Sequence, residues 1–473
     1  MHGWGAAGGA QVSGKSFVSK SASLRRMRSS TLAKTWFVLS VAVLSMAYGM
    51  AATQWGWFPS SFAERAWKQL YWGVQEKTIH LLNYRVYERT GVRAVQPKRM
   101  QPGLTLVTSS WKEEGELDPE LRLMNREGDV LHEWRVDREA LFPAGLSQRR
   151  DPERTDLHGS YLLPSGDVLA NLEYVGMVRL DACGEVQWRL TEGNHHSIAR
   201  TQDGSFWVPA VSNEPRATSA RFPDGFPGLD GKAVWVDRML RVSGDGTIQQ
   251  DLNVLDLLYR NGLQRYIPKV LGGRFPESDD VPTDITHLND IEPLSPSMAD
   301  EYPQFEAGDL AVSLRSLSLV FVVDPDTKKV KWHASDPFIY QHDPDFLGDG
   351  RIGVFDNNSD LTERGSMLGG SRILALRPHT GTIDVRFPTQ RSDPFYTALR
   401  GKWQPLDNGN MLLTESGAGR IVEVDSTGRT VWEWVHPSYD GSVPWVTKAS
   451  RHDLAPEEVA SWPCSSARPS TSR

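Results

Sequence analysis

Short apolar runs alternate with turn residues along most of the chain. The stretch HGSYLLPSGDVLANLEYVGMVRLDACGEVQWRL, His158 to Leu190, is typical. Apolar and polar positions alternate in VRLD and VQWRL, and the breaks fall at Ser165-Gly166 and Cys183-Gly184. Period-two alternation broken by Gly turns predicts a four-stranded antiparallel meander. Related units begin at His196, His287, His342 and Gly401, and one precedes them, ending near Val136. One sheet cannot bury two apolar faces alone. Six such sheets around an axis can, which predicts an all-β, six-bladed β-propeller over residues 100–446. Trp134, Trp188, Trp332 and Trp432 recur on the closing strands and are expected to fill the space between blades.

The remaining segments have other patterns. Residues 1–34 form a basic tail, and residues 35–52 form an uncharged run, TWFVLSVAVLSMAYGMAA. Its 18 residues suffice to span a bilayer as a helix. Trp36, Trp55 and Trp57 flank it like an interfacial belt. The positive-inside rule then leaves the N-terminus in the cytoplasm and the propeller outside the inner membrane. A secretory signal cleaved near Ala47–Ala52 is the competing reading, and it also exports the propeller. Residues 53–99 read as a helical connector, and residues 447–473 as a polar tail with a disordered end, CSSARPSTSR. An insertion between Leu252 and Asp284 reads as a short helix and a Pro- and Asp-rich loop, placed to form a lid.

Composition narrows the class. The 473 residues carry a net charge of −7, split as +6 in the first 34 and −13 in the rest. The acidic domain gives no support for a nucleic-acid surface. Two cysteines, Cys183 and Cys464, exclude a disulfide-stapled miniature fold. A single long apolar run excludes a polytopic membrane protein.

The histidines carry the chemistry. His158, His196 and His342 each stand eight residues before a turn glycine, Gly166, Gly204 and Gly350. His287 heads its own unit, so four histidines are expected at one position in successive blades, ringing the channel mouth. His195, Asn289, Asp290, Gln341 and Asp343 lie beside them, and Arg315 follows in SLRS. Neutral imidazoles can attack electrophiles, and an arginine fork suits a tetrahedral oxyanion.

These residues resemble the bacterial arylsulfate sulfotransferase family, through HHSIARTQDG, THLNDIEPL with DLAVSLRS, QHDPDFLGDGRIGVFDN with SRILAL, and DNGNMLLTESGAGRIVEVD. The resemblance implies an exported six-bladed propeller. It implies transfer of a sulfuryl group from a small-molecule aryl sulfate to a phenolic acceptor, through a sulfohistidine and without a cofactor. It implies His342 as nucleophile, with His287, Asn289 and Arg315 holding the sulfuryl oxygens and His196 as the other side of that clamp. His195, Thr414 and Arg372 complete the expected substrate contacts. The family's closely spaced cysteine pair is missing, and SPSMADEYPQFEAG stretches the chain between His287 and Arg315. Two other functions compete. One is a metal-dependent hydrolase with oxygen ligands from Asn289, Asp290, Asp356 and Asn357. The other is a non-catalytic propeller that binds an anionic ligand. Oligomeric state is not readable from this pattern.

Overall fold

The structure is a computed structural model and describes residues 20–55, 81–113, 116–142, 155–267, 284–360 and 362–464. The chain divides into two units, residues 1–76 and 77–473. In the first, one helix runs Lys20–Trp55, and its stretch Thr31–Ala51 is apolar, exposed and long enough to cross a membrane. At about 1.5 Å per residue this matches a hydrocarbon core roughly 30 Å thick.

The second unit is the six-bladed propeller. Blades two to five are each four sequential antiparallel strands, beginning at Leu157, Ala199, Leu288 and His342. Their second and third strands are apolar on both faces and buried, as in Val168–Leu172 and Leu319–Asp324. Their fourth strands, such as Val186–Leu190 and Thr382–Phe387, are largely exposed and polar on one face, which makes them the outer edges. This gradient is what a radial stack of sheets requires.

Two strands close the ring, and both lie where the sequence pattern gave other assignments. Lys448–His452 is the innermost strand of blade one, pairing with Leu104–Glu113. The propeller therefore extends past 446 into the segment read as polar tail. Gly91–Ala94 adds an outer fifth strand to blade six, pairing with Val435 through Trp432. Leu82–Tyr84 pairs with Ser442–Pro444. The connector after residue 80 is thus extended and not helical. Gly91 has a left-handed φ of 76°, which interrupts a helix, and backbone pairing from the far end of the chain overrides the periodicity. The helical periodicity over 56–80 and the C-terminal end from 465 lie outside the described residues.

The recurrent tryptophans tie each blade to the next. Trp134 and Trp432 are fully buried, while Trp188 and Trp332 are half-buried. Indole N–H groups of Trp134, Trp188 and Trp432 donate to the carbonyls of Asp181, Gly244 and Arg126, each in a turn of the following blade. At Gly246 a Cβ would lie 2.8 Å from the Trp188 ring, so the turn needs glycine both for φ and for space. The insertion after Leu252 forms a helix, Val254–Arg260, packed through Val254, Leu255, Leu257 and Leu258, while 268–283 lies outside the described residues.

Cys183, in the last turn of blade two, is disulfide-bonded to Cys464 across 281 residues of sequence. Val459 and Trp462, just before Cys464, pack against Trp134 and its neighbours in blades one and two. The disulfide therefore fastens the segment that follows the closing strand. Replacing both cysteines by serine should cost about 2–5 kcal/mol of stability. Thermal unfolding with and without reductant measures this, and a reductant-insensitive midpoint in the wild type would contradict it.

Candidate active site

The innermost strands of blades two, four and five each begin with a one-residue β-bulge, at His158, Asn289 and Asp343. Those three are the equivalent positions. His342 stands one residue before its bulge and His287 two before. The expected common register of the histidines therefore does not hold. A second bulge in blade five, between Phe346 and Gly348, shifts the count to Gly350 by one. The bulges and the left-handed backbone at His196 (φ 53°) and His287 (φ 50°) re-aim the side chains. His158, His195, His196, His287 and His342 are all buried, and their rings form one connected group.

His342 is held in one tautomer. Its Nδ1 lies 2.7 Å from Asn357 Oδ1 and 3.0 Å from the Tyr340 carbonyl. Both partners are acceptors, so Nδ1 carries the proton. The Asn357 amide donates to the carbonyls of Thr397 and Arg400, which fixes which end faces the imidazole. His342 Nε2 is left with a lone pair, buried and without a partner. Burial, then the Arg315 charge, holds the ring's basicity well below that of an ordinary histidine.

His287 and Arg315 meet despite the stretched sequence between them. The Arg315 N–H donates to the His287 carbonyl at 3.0 Å. The inserted segment lies at the opposite end of the hairpin, where Leu294 pairs with Asp309. Asp284 Oδ2 stands 2.7 Å from His287 Nδ1 and accepts its N–H. Arg315 Nη2 and the Tyr174 hydroxyl approach the same nitrogen at 3.2 and 3.4 Å. His287 Nε2 and Arg315 Nε are buried without partners. Burial, then Arg315, pushes the His287 pKa down to about 4, against the pull of Asp284. Asn289 donates to the Gln341 carbonyl at 2.8 Å, linking blade four to the residue before His342, and its Oδ1 is unpaired.

His196 is surrounded by imidazoles, and burial followed by their repulsion holds its basicity well below normal. The His158 ring stacks on it at 3.9 Å. His195 is fully buried, with its Nδ1 2.7 Å from His196 Nδ1 and its ring 4.6 Å from that of Tyr174. Tyr174 and His196 pack directly against it. His158, Glu173 and His196 are the described group whose ligand atoms converge, within 4.8 Å. Arg400 faces this Glu173 at 3.6 Å and Asp156 at 2.7 Å, so the carboxylate of the group already has a cationic partner.

Lys402 of blade six is buried between Asp290 of blade four and Asp343 of blade five. Both carboxylates hold its pKa above normal against the cost of burial. Asp343 also accepts the Trp403 N–H at 2.8 Å. Arg372 bonds to Asp356 and to the Pro337 carbonyl, where it braces the approach to His342. Its guanidinium is paired with a buried carboxylate. Asp290 and Asp356 are thus ion-paired and Asn357 Oδ1 is taken by His342, which leaves only Asn289 Oδ1 free among the four proposed oxygen ligands. Thr414 pairs with Lys402 across the strands, and its hydroxyl is buried without a partner. Sequence reasoning missed Tyr174, Asp237, Asp284 and Lys402, and it read Asn357 only as a metal ligand. Asn357, in the run VFDNN opposite QHD, is the one whose place a strand alignment could have suggested.

The family model described as Arylsulfotransferase (ASST) matches residues 159–436. The chain belongs to the arylsulfotransferase family. No curated protein sequence matches it. Among solved structures it is distantly similar to a protein of unknown function from Bacteroides caccae, at 14% identity and TM-score 0.44, over 71% of this chain and 94% of that one. It is also similar to a streptogramin B lyase, at 13% identity and TM-score 0.37, over 74% and 88%. The WD40 β-propeller domain of Doa1 matches at 11% identity and TM-score 0.38, over 78% and 94%.

The buried titratable groups set a stability optimum. His287, His436 and His452 are pushed down to about 4 by burial, so their contribution is present above pH 6.5 and lost as pH falls through 4. Burial raises Glu292 to about 8 and Asp343 to about 7, so their contribution is lost as pH rises through those values. The unfolding midpoint should therefore peak near pH 6.5 in a thermal series from pH 4 to 9. A midpoint still climbing between pH 7 and 8 would contradict the assignment.

Proposed function

We propose that the propeller transfers a sulfuryl group from an aryl sulfate to a phenolic acceptor through a sulfohistidine at His342. The observation that carries this is the unpaired, buried Nε2 lone pair of His342, held in that tautomer beside Arg315. A neutral imidazole with a free lone pair is a nucleophile, and a nearby guanidinium offsets charge on the sulfuryl oxygens. Arg315 is the permanent charge of this clamp. The unpaired atoms of His287 (Nε2) and Asn289 (Oδ1) are acceptors, so these residues line the pocket while the guanidinium carries the anion. His342 Nε2 attacks sulfur, and the S–O bond to the aryl group breaks with its electron pair on the phenolate. The acceptor phenol then takes the sulfuryl group, and the N–S electrons return to His342.

The apolar helix anchors the chain, with its N-terminus inside and the propeller on the periplasmic side. The Cys183–Cys464 disulfide supports this placement, because such bonds persist in oxidising compartments.

Full-length protein in detergent should release phenol from a chromogenic aryl sulfate in bursts, and should turn over only when a phenolic acceptor is present. Mass mapping should find the added 80 Da, about the mass of SO3, on His342, and His342→Ala should abolish it. Turnover by His342→Ala at the wild-type rate would overturn the assignment. Asn357→Leu should slow sulfation on the order of 100-fold through loss of the tautomer, with a smaller effect on KM. Single-turnover kinetics measures that split.

A further inference from the structure

The contact between His195 Nδ1 and His196 Nδ1, at 2.7 Å, requires one shared proton. Two lone pairs or two N–H groups at that distance would repel. The other nitrogen of His195 faces Asp237 Oδ1 at 3.6 Å, an ion-pair separation longer than a hydrogen bond. Asp237 is buried, and its Oδ2 is held by the Thr286 hydroxyl at 2.6 Å and the Leu288 N–H at 2.8 Å. With Nδ1 committed to His195, Nε2 is the nitrogen of His196 left for a substrate. The His196 ring lies 5.1 Å from the His287 ring and 6.5 Å from that of His342.

We infer that Asp237, His195 and His196 form a proton relay that protonates the departing phenolate. This rests on the sulfuryl-transfer reading above. In the resting site His195 carries both ring protons, balanced by Asp237, and donates Nδ1–H to His196. His196 is neutral and presents Nε2–H. As His342 bonds to sulfur and the S–O bond breaks, the His196 Nε2 proton passes to the phenolate oxygen. His196 Nδ1 takes the shared proton, and His195 becomes neutral. The acceptor phenol reverses each transfer: its proton enters at His196 Nε2 and the shared proton returns to His195.

The neighbours favour charge on His195 over His196. His196 is buried among four other imidazoles with no carboxylate of its own in hydrogen-bond contact among the described residues, and a charge on it would repel one on His195 at 2.7 Å. Glu173 is engaged by Arg400 and by His158, and Asp284 by His287. Tyr174 stacks on His195 and directs its hydroxyl toward His287. Asp237 is the carboxylate that faces His195.

The test uses full-length protein in detergent and rapid-quench sulfation of His342 by two esters, phenyl sulfate and 4-nitrophenyl sulfate. Phenolate needs a proton to leave, and nitrophenolate needs it far less. His195→Gln and Asp237→Asn should each slow the phenyl ester about 100-fold and the nitrophenyl ester only a few-fold. Equal losses with both esters would overturn the relay. A second measurement avoids variants: 15N-histidine spectra of the wild type should show His195 protonated at both nitrogens, and a neutral His195 would also overturn it. If the wild type never sulfates His342 with either ester, the parent reading fails and the relay with it. If it does, and the variant losses are equal, the relay fails alone.

Discussion

The inner strands of each sheet in this protein are apolar on both faces, and neither face can be left in water. Ring closure is the constraint that meets this demand for all six sheets at once. Everything at the axis follows from it. Closure brings innermost strands from distant parts of the chain side by side, which lets Lys402 of the sixth blade reach Asp290 of the fourth and Asp343 of the fifth. A buried lysine with two carboxylates is costly to desolvate and costlier to break, since removing one member leaves an uncompensated charge. The cluster therefore fixes the relative position of three blades next to the candidate nucleophile.

The same packing sets the chemistry of the histidines. Taken out of water and placed beside one another, imidazoles lose protons they would hold on a surface. His342 is kept neutral by surroundings that also deny its Nε2 a partner. The guanidinium beside these rings is that of half-buried Arg315.

The fold was legible because strand alternation and turn glycines are local signals that repeat. The histidines of the pocket were legible as residue types in motifs, but their register was not. The bulge between Phe346 and Gly348 cancels the one-residue offset of His342 in a count to Gly350. Arg372 and Arg420 occupy matching sequence positions, a shared register that favours a structural role, and the structure pairs both with buried carboxylates, Asp356 for one and Glu415 with Glu433 for the other. Pairings between remote residues left no local trace. Asn357 acts on His342 across a hairpin, Cys183 bonds to Cys464, and the strands at 91–94 and 448–452 exist only because partners from the other end of the chain reach them.

The closing strand has a consequence for how the protein is made. Lys448–His452 is the innermost strand of the first blade, yet its partner Leu104–Glu113 is synthesised hundreds of residues earlier. Contacts so remote in sequence form late and slowly. Until they form, blade one lacks the strand that faces the channel and its apolar edge is open to other chains. A chain of this design therefore stays partly assembled until Lys448–His452 has been made, and its most vulnerable interval is that delay.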